Sequence, residues 1–250
     1  MKPGITEHRP EARLRDRVAS IQLIVSDGTP VSVLPSTSAV MGFQFAGRIR
    51  GEDGLLSTAG VTGILEGPRR YSYLGPTGSV MVRFTPLGAS CLGVPATELT
   101  SRSVPLDSFL PAQLVRETSE QICEADDDSS RVQVMERFLS ALSWTPDPIV
   151  AEALRRLEGD TPSVARIARE LGLSERQLER RFQAKVGLSP RAFVTLRRFE
   201  RAVELSKRAR SFTELALEAG YSDQPHFNRD FRRFAGSSPR TCLPLPSGEG

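Results

Sequence analysis

The stretch AGYSDQPHFNRDFRRFAGSSP, residues 219–239, decides the reading of this chain, because an earlier stretch resembles it in order and kind. ARELGLSERQLERRFQAKVGLSP begins at Ala168, and its counterpart ALEAGYSDQPHFNRDFRRFAGSSP begins at Ala216. Their early landmarks, Ala168 with Gly172 and Ala216 with Gly220, stand 48 positions apart. The later pairs stand 49 apart: Leu178 and Phe227, Arg180 and Arg229, Phe182 and Phe231, Gly187 and Gly236, Pro190 and Pro239. One residue has been inserted between the two sets. So many types in one order indicate an internal duplication.

Each copy carries the parts of a helix-turn-helix: a short helix apolar on one side, a glycine to turn the chain, and a capped second helix. In the first copy Val164, Ile167, Ala168 and Leu171 face inward, Gly172 allows the left-handed turn, and Ser174 caps the second helix. In the second, Leu215, Ala216, Ala219, Gly220 and Ser222 take these parts, and Pro225 falls in the first turn, where no amide partner is needed. At about 100° per residue, Leu178 and Phe182 share the inner side of one second helix and leave Arg176, Arg180 and Gln183 opposite. In the other copy Phe227, Phe231 and Phe234 turn inward, leaving Pro225, Arg229 and Arg232 opposite and Asn228 alongside. Arg can bond two acceptors on guanine, and Asn or Gln two groups on adenine. A solvated helix face carries the same residue types, but two matching basic faces can enter successive major grooves about 34 Å apart. Between the units, Ser189 to Ala209 reads as one helix, with Ser189 as its cap and Pro190 in its first position.

At these residues the chain resembles the AraC/XylS family of bacterial transcription regulators, over about Asp147 to Cys242. The second unit follows the family signature through Gly220, Tyr221, Ser222, Phe227, Arg229, Phe231, Phe234, Gly236 and Pro239. The resemblance implies two helix-turn-helix units between Thr161 and Cys242, with base-reading positions at Arg176, Glu179 and Arg180 in one and Gln224, Asn228 and Arg229 in the other. Glu179 could accept from a cytosine amino group or pair with a neighbouring Arg. Thr241 and Cys242 depart from the family's ending, and the tail LPLPSGEG reads as unstructured. FTPLGA at Phe84 to Ala89 and LGVPATELT at Leu92 to Thr100 resemble the β-rich domain that precedes the DNA-binding part in one branch of the family. The implied partners are double-stranded DNA, RNA polymerase, a small-molecule effector of the N-terminal domain and a second copy of the chain.

The remaining sequence agrees with two domains. A chain of 250 residues exceeds the usual single-domain length. Divided after Thr145, it carries 14 basic and 16 acidic residues before the cut and 19 and 14 after it, so the basic half is the one with the duplication. From Val18 to Phe84, short apolar or alternating stretches are broken by turn residues. Val18 to Val33 reads as a hairpin around SDGTP, with further strands at Met41 to Phe45, Val61 to Leu65 and Ser79 to Phe84. After Pro111 the period becomes helical, with Leu114, Val115, Thr118 and Ile122, then Val132, Met135, Phe138, Leu139 and Leu142 beyond the break at Asp126 to Asp128. WTPDP, Trp144 to Pro148, supplies a boundary and a helix start at Asp147. The expected fold is α+β: a β-rich, cupin-like barrel or sandwich over 1–110, a helical appendage over 111–145, and an all-α double helix-turn-helix domain over 146–245.

Other classes find little support. No apolar run nears the roughly 20 residues needed to cross a bilayer, and the charged start does not resemble a signal peptide, so a cytoplasmic location without membrane contact is expected. Cys91, Cys123 and Cys242 are too far apart for a close-spaced metal site and read as reduced thiols. There is no phosphate-binding loop and no GxSxG elbow, GPTGS at Gly75 to Ser79 reads as a turn, and His8 and His226 are the only histidines. Glu52 and Asp53 read as surface charge in a turn. No catalytic residue, metal or cofactor is therefore expected. The remaining rival is a helical protein-interaction module fused to a small-molecule-binding β domain.

Overall fold

The computed structural model describes residues 3–159 and 163–243. In chain order it contains β1 (Gly4–His8), β2 (Val18–Ser26), β3 (Val31–Val33), β4 (Val40–Gly51), β5 (Gly54–Leu55), β6 (Ala59–Thr62), β7 (Arg69–Phe84), α1 (Ala96–Leu99) and β8 (Ser103–Pro105). There follow α2 (Ala112–Glu124), α3 (Asp128–Ala141), α4 (Pro148–Leu157), α5 (Val164–Glu170), α6 (Glu175–Val186), α7 (Pro190–Leu205), α8 (Phe212–Glu218), α9 (Gln224–Ala235) and α10 (Pro239–Cys242). The fold is α+β, a β-rich N-terminal part followed by helices. Thr161 and residues 244–250, most of the tail read as unstructured, lie outside the described residues; Leu243, its first residue, is buried.

The strands form one eight-stranded sheet in the order β1-β2-β7-β4-β6-β8, with β3 paired to β7 and β5 to β4, all antiparallel. Alternation sends Ile21, Leu23, Met41, Phe43, Val80, Val82 and Phe84 to one face. There they pack with Val115 and Ile122 of α2 and Val132, Met135, Phe138 and Leu139 of α3 in a single cluster. Phe138 meets Phe43 edge-on, with ring centroids 5.2 Å apart. The two helices thus cover a sheet face that alone would expose a row of aliphatic side chains. Asp127 starts α3 by accepting the Ser130 amide at 2.7 Å, which explains why the acidic run breaks the helical pattern.

Three sequence expectations need correction. Val18 to Val33 is not a hairpin: β2 pairs with residues 77–84 of β7 and β3 with residues 69–71, and no β2–β3 pairing forms. A partner of 16 residues is long enough to take both strands end to end along one edge. GPTGS is not a turn but the middle of β7. Gly75, at φ +80°, sits where the β4 register slips, so the strand bulges and continues. VTGIL leaves the sheet after Thr62, because a Cβ at Gly63 would lie 2.1 Å from the Leu99 carbonyl oxygen and the chain there passes against α1. Ile64 therefore joins a different core. That second cluster contains Ile64 and Leu87 with the inner faces of α4 to α9.

Contacts join the two parts. Glu200 on α7 accepts the Thr37 amide at 3.0 Å and its hydroxyl at 2.8 Å. The Thr100 hydroxyl, just after α1, lies 3.0 Å from the carbonyl oxygen of Gly187, which ends α6. Gly187 has φ +89°, and a Cβ there would stand 2.8 Å from Thr100 Oγ1 and 3.1 Å from the Ala96 carbonyl oxygen. Gly187→Ala should cost more than the ~1–2 kcal/mol of left-handed backbone strain. Gly172→Ala, at φ +71° with open space around it, should cost only that strain. Denaturant midpoints of the two variants measure the difference, and equal losses would mean that the α1–α6 contact contributes nothing.

Candidate nucleic-acid interface

The two duplicated segments fold into the same pair of helices. α5 ends where the Leu173 amide bonds the Ala168 carbonyl at 2.9 Å, and α8 ends where the Tyr221 amide bonds that of Ala216 at 2.9 Å. Gly172 and Gly220, at φ +71° and +91°, make the turn. The copies then diverge by one residue. Ser174 caps α6, accepting the Gln177 amide, while the Gln177 side chain accepts the Ser174 amide in return, a reciprocal capping box. In the second copy the cap is Asp223, which accepts the His226 amide at 2.7 Å, and not Ser222. Ser222 is the extra residue. It lies between the turn and the cap, with its hydroxyl 3.2 Å from His226 Nδ1.

Both second helices bury one face completely. Leu178, Phe182 and Val186 of α6, and Phe227, Phe231 and Phe234 of α9, are all buried. α7 fixes the two units by inserting side chains into both: Phe193 meets Phe182 at 5.6 Å, and Phe199 meets Phe231 at 5.2 Å and Phe234 at 5.1 Å between ring centroids. Ser189 caps α7 and Pro190 occupies its first turn. The helix ends at Leu205, a turn short of the expected Ala209.

The opposite faces carry the candidate residues. Arg176, Glu179, Arg180 and Gln183 on α6 and Arg229 and Arg232 on α9 are exposed, while Gln224 and Asn228 are half-buried. Six other arginines, on α4, α5, α6 and α7, are neutralised. Arg155 and Arg156 pair with Glu152, Arg156 and Arg166 with Glu170, Arg181 with Asp147, Arg191 with Glu175 and Arg197 with Glu200. Among the described residues Arg176, Arg180, Arg229 and Arg232 form neither an ion pair nor a side-chain hydrogen bond. Each is a charge available to an external acceptor. Gln224 is different, because its carbonyl oxygen already accepts the Thr213 hydroxyl at 2.9 Å, leaving its amino group to donate. No local pattern pointed to Thr213, which sits on α8, eleven positions upstream.

The sequence also did not reveal the role of Arg181, whose Nε donates to Asp147 at 2.5 Å. Asp147 at the same time caps α4, accepting the Ile149 and Val150 amides at 3.0 and 3.2 Å. Burial by itself would raise the Asp147 pKa, but Arg181 and the two amides outweigh it and hold the carboxyl below the usual carboxylate range. A folded-state pKa below the unfolded value gives stability that is complete above the unfolded value, about 3.9, and is lost as pH falls through the folded one. Asp147→Asn, which still caps, should therefore flatten the decline of unfolding midpoints below about pH 5. An unchanged acid limb would show that the pair with Arg181 contributes nothing. The cysteines are free thiols, with Cys91 buried and its pKa pushed up to about 11 by desolvation.

Residues 167–243 match a family model described as a helix-turn-helix domain. Over 81 residues the chain is 37% identical to the HTH-type transcriptional regulator MtrA of Neisseria gonorrhoeae, a stretch that makes up 32% of this chain and 27% of MtrA. A solved structure of a transcriptional regulator from Chromobacterium violaceum, described among AraC-type DNA-binding domain-containing proteins, is 32% identical. It covers 38% of this chain and 88% of that structure, with a TM-score of 0.34. The solved structure of ToxT from Vibrio cholerae is 12% identical, covers 88% of this chain and 97% of that one, and has a TM-score of 0.47. The chain spans about a quarter of the length of the curated relatives it matches. No helix among the described residues is long and apolar enough to cross a membrane. With paired units, a joining helix and the matching family model, the C-terminal domain of this chain belongs to the AraC/XylS helix-turn-helix family.

Proposed function

We propose that the chain is a cytoplasmic, sequence-specific DNA-binding transcription regulator in which α6 and α9 enter successive major grooves. The observation that carries this reading is the choice of unpaired arginines. Arg176, Arg180, Arg229 and Arg232 lie on the free faces of two helices that α7 holds by their inner faces, while Arg166, Arg181 and Arg191 are paired with carboxylates. Arg176, Glu179, Arg180 and Gln183 read one groove, and Gln224, Asn228, Arg229 and Arg232 the other. The phosphate backbone adds a term that falls with salt.

In this reading residues 1–110 form a sensor or dimerisation domain, 111–145 its helical appendage and 146–245 the DNA-binding domain. A ligand in the first, or a second copy of the chain, alters how α6 and α9 are presented to DNA and to RNA polymerase. The Thr37–Glu200 and Thr100–Gly187 bonds supply a physical connection for that effect. A gel shift on genomic fragments tests the DNA-binding step. Affinity should fall steeply between about 50 and 200 mM salt, by roughly tenfold or more for even two or three phosphate contacts. Salt-independent binding, or none, would transfer the free arginines to a protein partner.

A further inference from the structure

The sheet has a second face, which no helix lines among the described residues. Opposite the face packed by α2 and α3, a cavity of about 310 Å³ opens. Its walls include Ile24, Val40, Leu56 and Met81 with Tyr71 and Tyr73. A sheet face that meets only water normally carries polar side chains at alternate positions. Here Ile24, Val40 and Met81 stand among Gln44, Thr62 and Ser103, and with Leu56, Tyr71 and Tyr73 they give a mainly apolar wall, which suits an organic ligand with a large apolar body.

One cation lies in that wall. Arg69, half-buried on β7, donates from Nη1 to Ser103 Oγ at 3.2 Å and from Nη2 to the Ser101 carbonyl oxygen at 2.6 Å. Both acceptors are neutral, and among the described residues Arg69 forms no ion pair. A half-buried guanidinium that forms no ion pair favours an anionic guest, and its planar fork suits a carboxylate. Glu52 and Asp53 also line the cavity, but both are exposed to solvent on the β4–β5 turn. Burial, reinforced by Tyr71, raises the Tyr73 pKa, so its phenol stays a neutral donor.

The acceptors of Arg69 lie on the segment that reaches α6. Ser101 is the one non-glycine residue with positive φ, +54°, among the described residues. Its amide bonds the Ile64 carbonyl, and its neighbour Thr100 bonds Gly187 at the end of α6. A guest that recruits the Arg69 guanidinium competes with the Ser101 carbonyl for it, and so acts on the turn that holds α6.

We propose that this cavity binds a mainly apolar organic acid through Arg69, and that occupancy is felt at the C-terminal end of α6. The proposal rests on the reading of the N-terminal domain as a sensor and specifies its ligand. Calorimetric titration of the full chain, without DNA, with 2-naphthoate, 2-naphthylmethanol and 2-naphthylmethylamine tests it. The acid should bind at least tenfold more tightly than the alcohol. Arg69→Gln should abolish that preference while keeping alcohol binding, which also shows that the cavity has folded, and Arg69→Lys should retain part of it. Equal affinity for acid and alcohol would sink the acid class but leave a sensor of neutral ligands. Tighter binding of the amine would overturn the proposal in favour of Glu52 and Asp53, and no binding by any probe would remove both the proposal and the sensor reading. Hydrogen exchange gives the second readout: amides of residues 186–188 should change their rate with 2-naphthoate in the wild type and not in Arg69→Gln. Binding that leaves those rates unchanged would refute the transmission to α6. Because DNA is absent throughout, none of these outcomes bears on the DNA-binding reading.

Discussion

Phe231→Ala is expected to lower the unfolding free energy of the helical domain by about 3–5 kcal/mol, the usual cost of truncating a fully buried aromatic side chain. Phe231 is wholly buried, with Phe199 of α7 at 5.2 Å and Phe227 at 5.5 Å. Its ring fills the junction where α9 meets the joining helix, so the neighbours cannot close the space without moving a helix. Total stability of a domain is about 5–15 kcal/mol, so this one substitution removes a large part of it. Urea unfolding followed by the helical circular dichroism signal measures the loss. Phe231→Leu, which retains most of the volume, should recover much of it. A loss under about 1 kcal/mol for Phe231→Ala would mean that α9 is not held against α7 in this way.

The combined variant Arg180→Ala, Arg229→Ala should lose on the order of 10²–10⁴-fold in affinity for its operator. Each lost bidentate base contact costs ~1–3 kcal/mol, and sites on separate helices without shared partners add. Neither guanidinium has a partner among the described residues, so removal leaves no carboxylate stranded and folding should be unaffected. The matched control is Arg155→Ala, an exposed arginine already paired with Glu152 at 2.7 Å, which should bind as the wild type does. Fluorescence anisotropy with a selected genomic fragment at fixed salt reads both. Wild-type affinity in the combined variant would place the DNA-reading face elsewhere. Equal losses in the combined variant and the control would reduce the effect to general positive charge.

Much of the helical half was legible because its signals are short-range. The alternation of buried and free faces on α6 and α9 follows from helical period alone, and Leu178, Phe182, Phe227, Phe231 and Phe234 are buried as that period requires. The duplication revealed one inserted residue but not its position. Ser222 and Asp223 are both good caps, and only the bond from the His226 amide distinguishes them. In the β-rich half, alternation identified strand material in β2, β4, β6 and β7 but not its partners. The hairpin drawn around SDGTP failed for that reason: turn residues fix where a chain bends, and the long β7 decided what each strand paired with.

The amino-acid order by itself determined the two helix-turn-helix units, their turns and the joining helix, since periodicity, glycine conformation and side-chain capping act within a few residues of their cause. Pairs three or four positions apart, such as Arg155 with Glu152 and Arg166 with Glu170, are local to one helix, and only the tertiary structure decided which of the other arginines remain free. That outcome depends on whether a carboxylate from a distant segment, such as Asp147 for Arg181, is brought within reach. It also decided that one face of the sheet is closed by α2 and α3 while the other encloses a cavity with Arg69 in its wall, because which face is covered depends on how the following helices cross the sheet and not on the strands themselves.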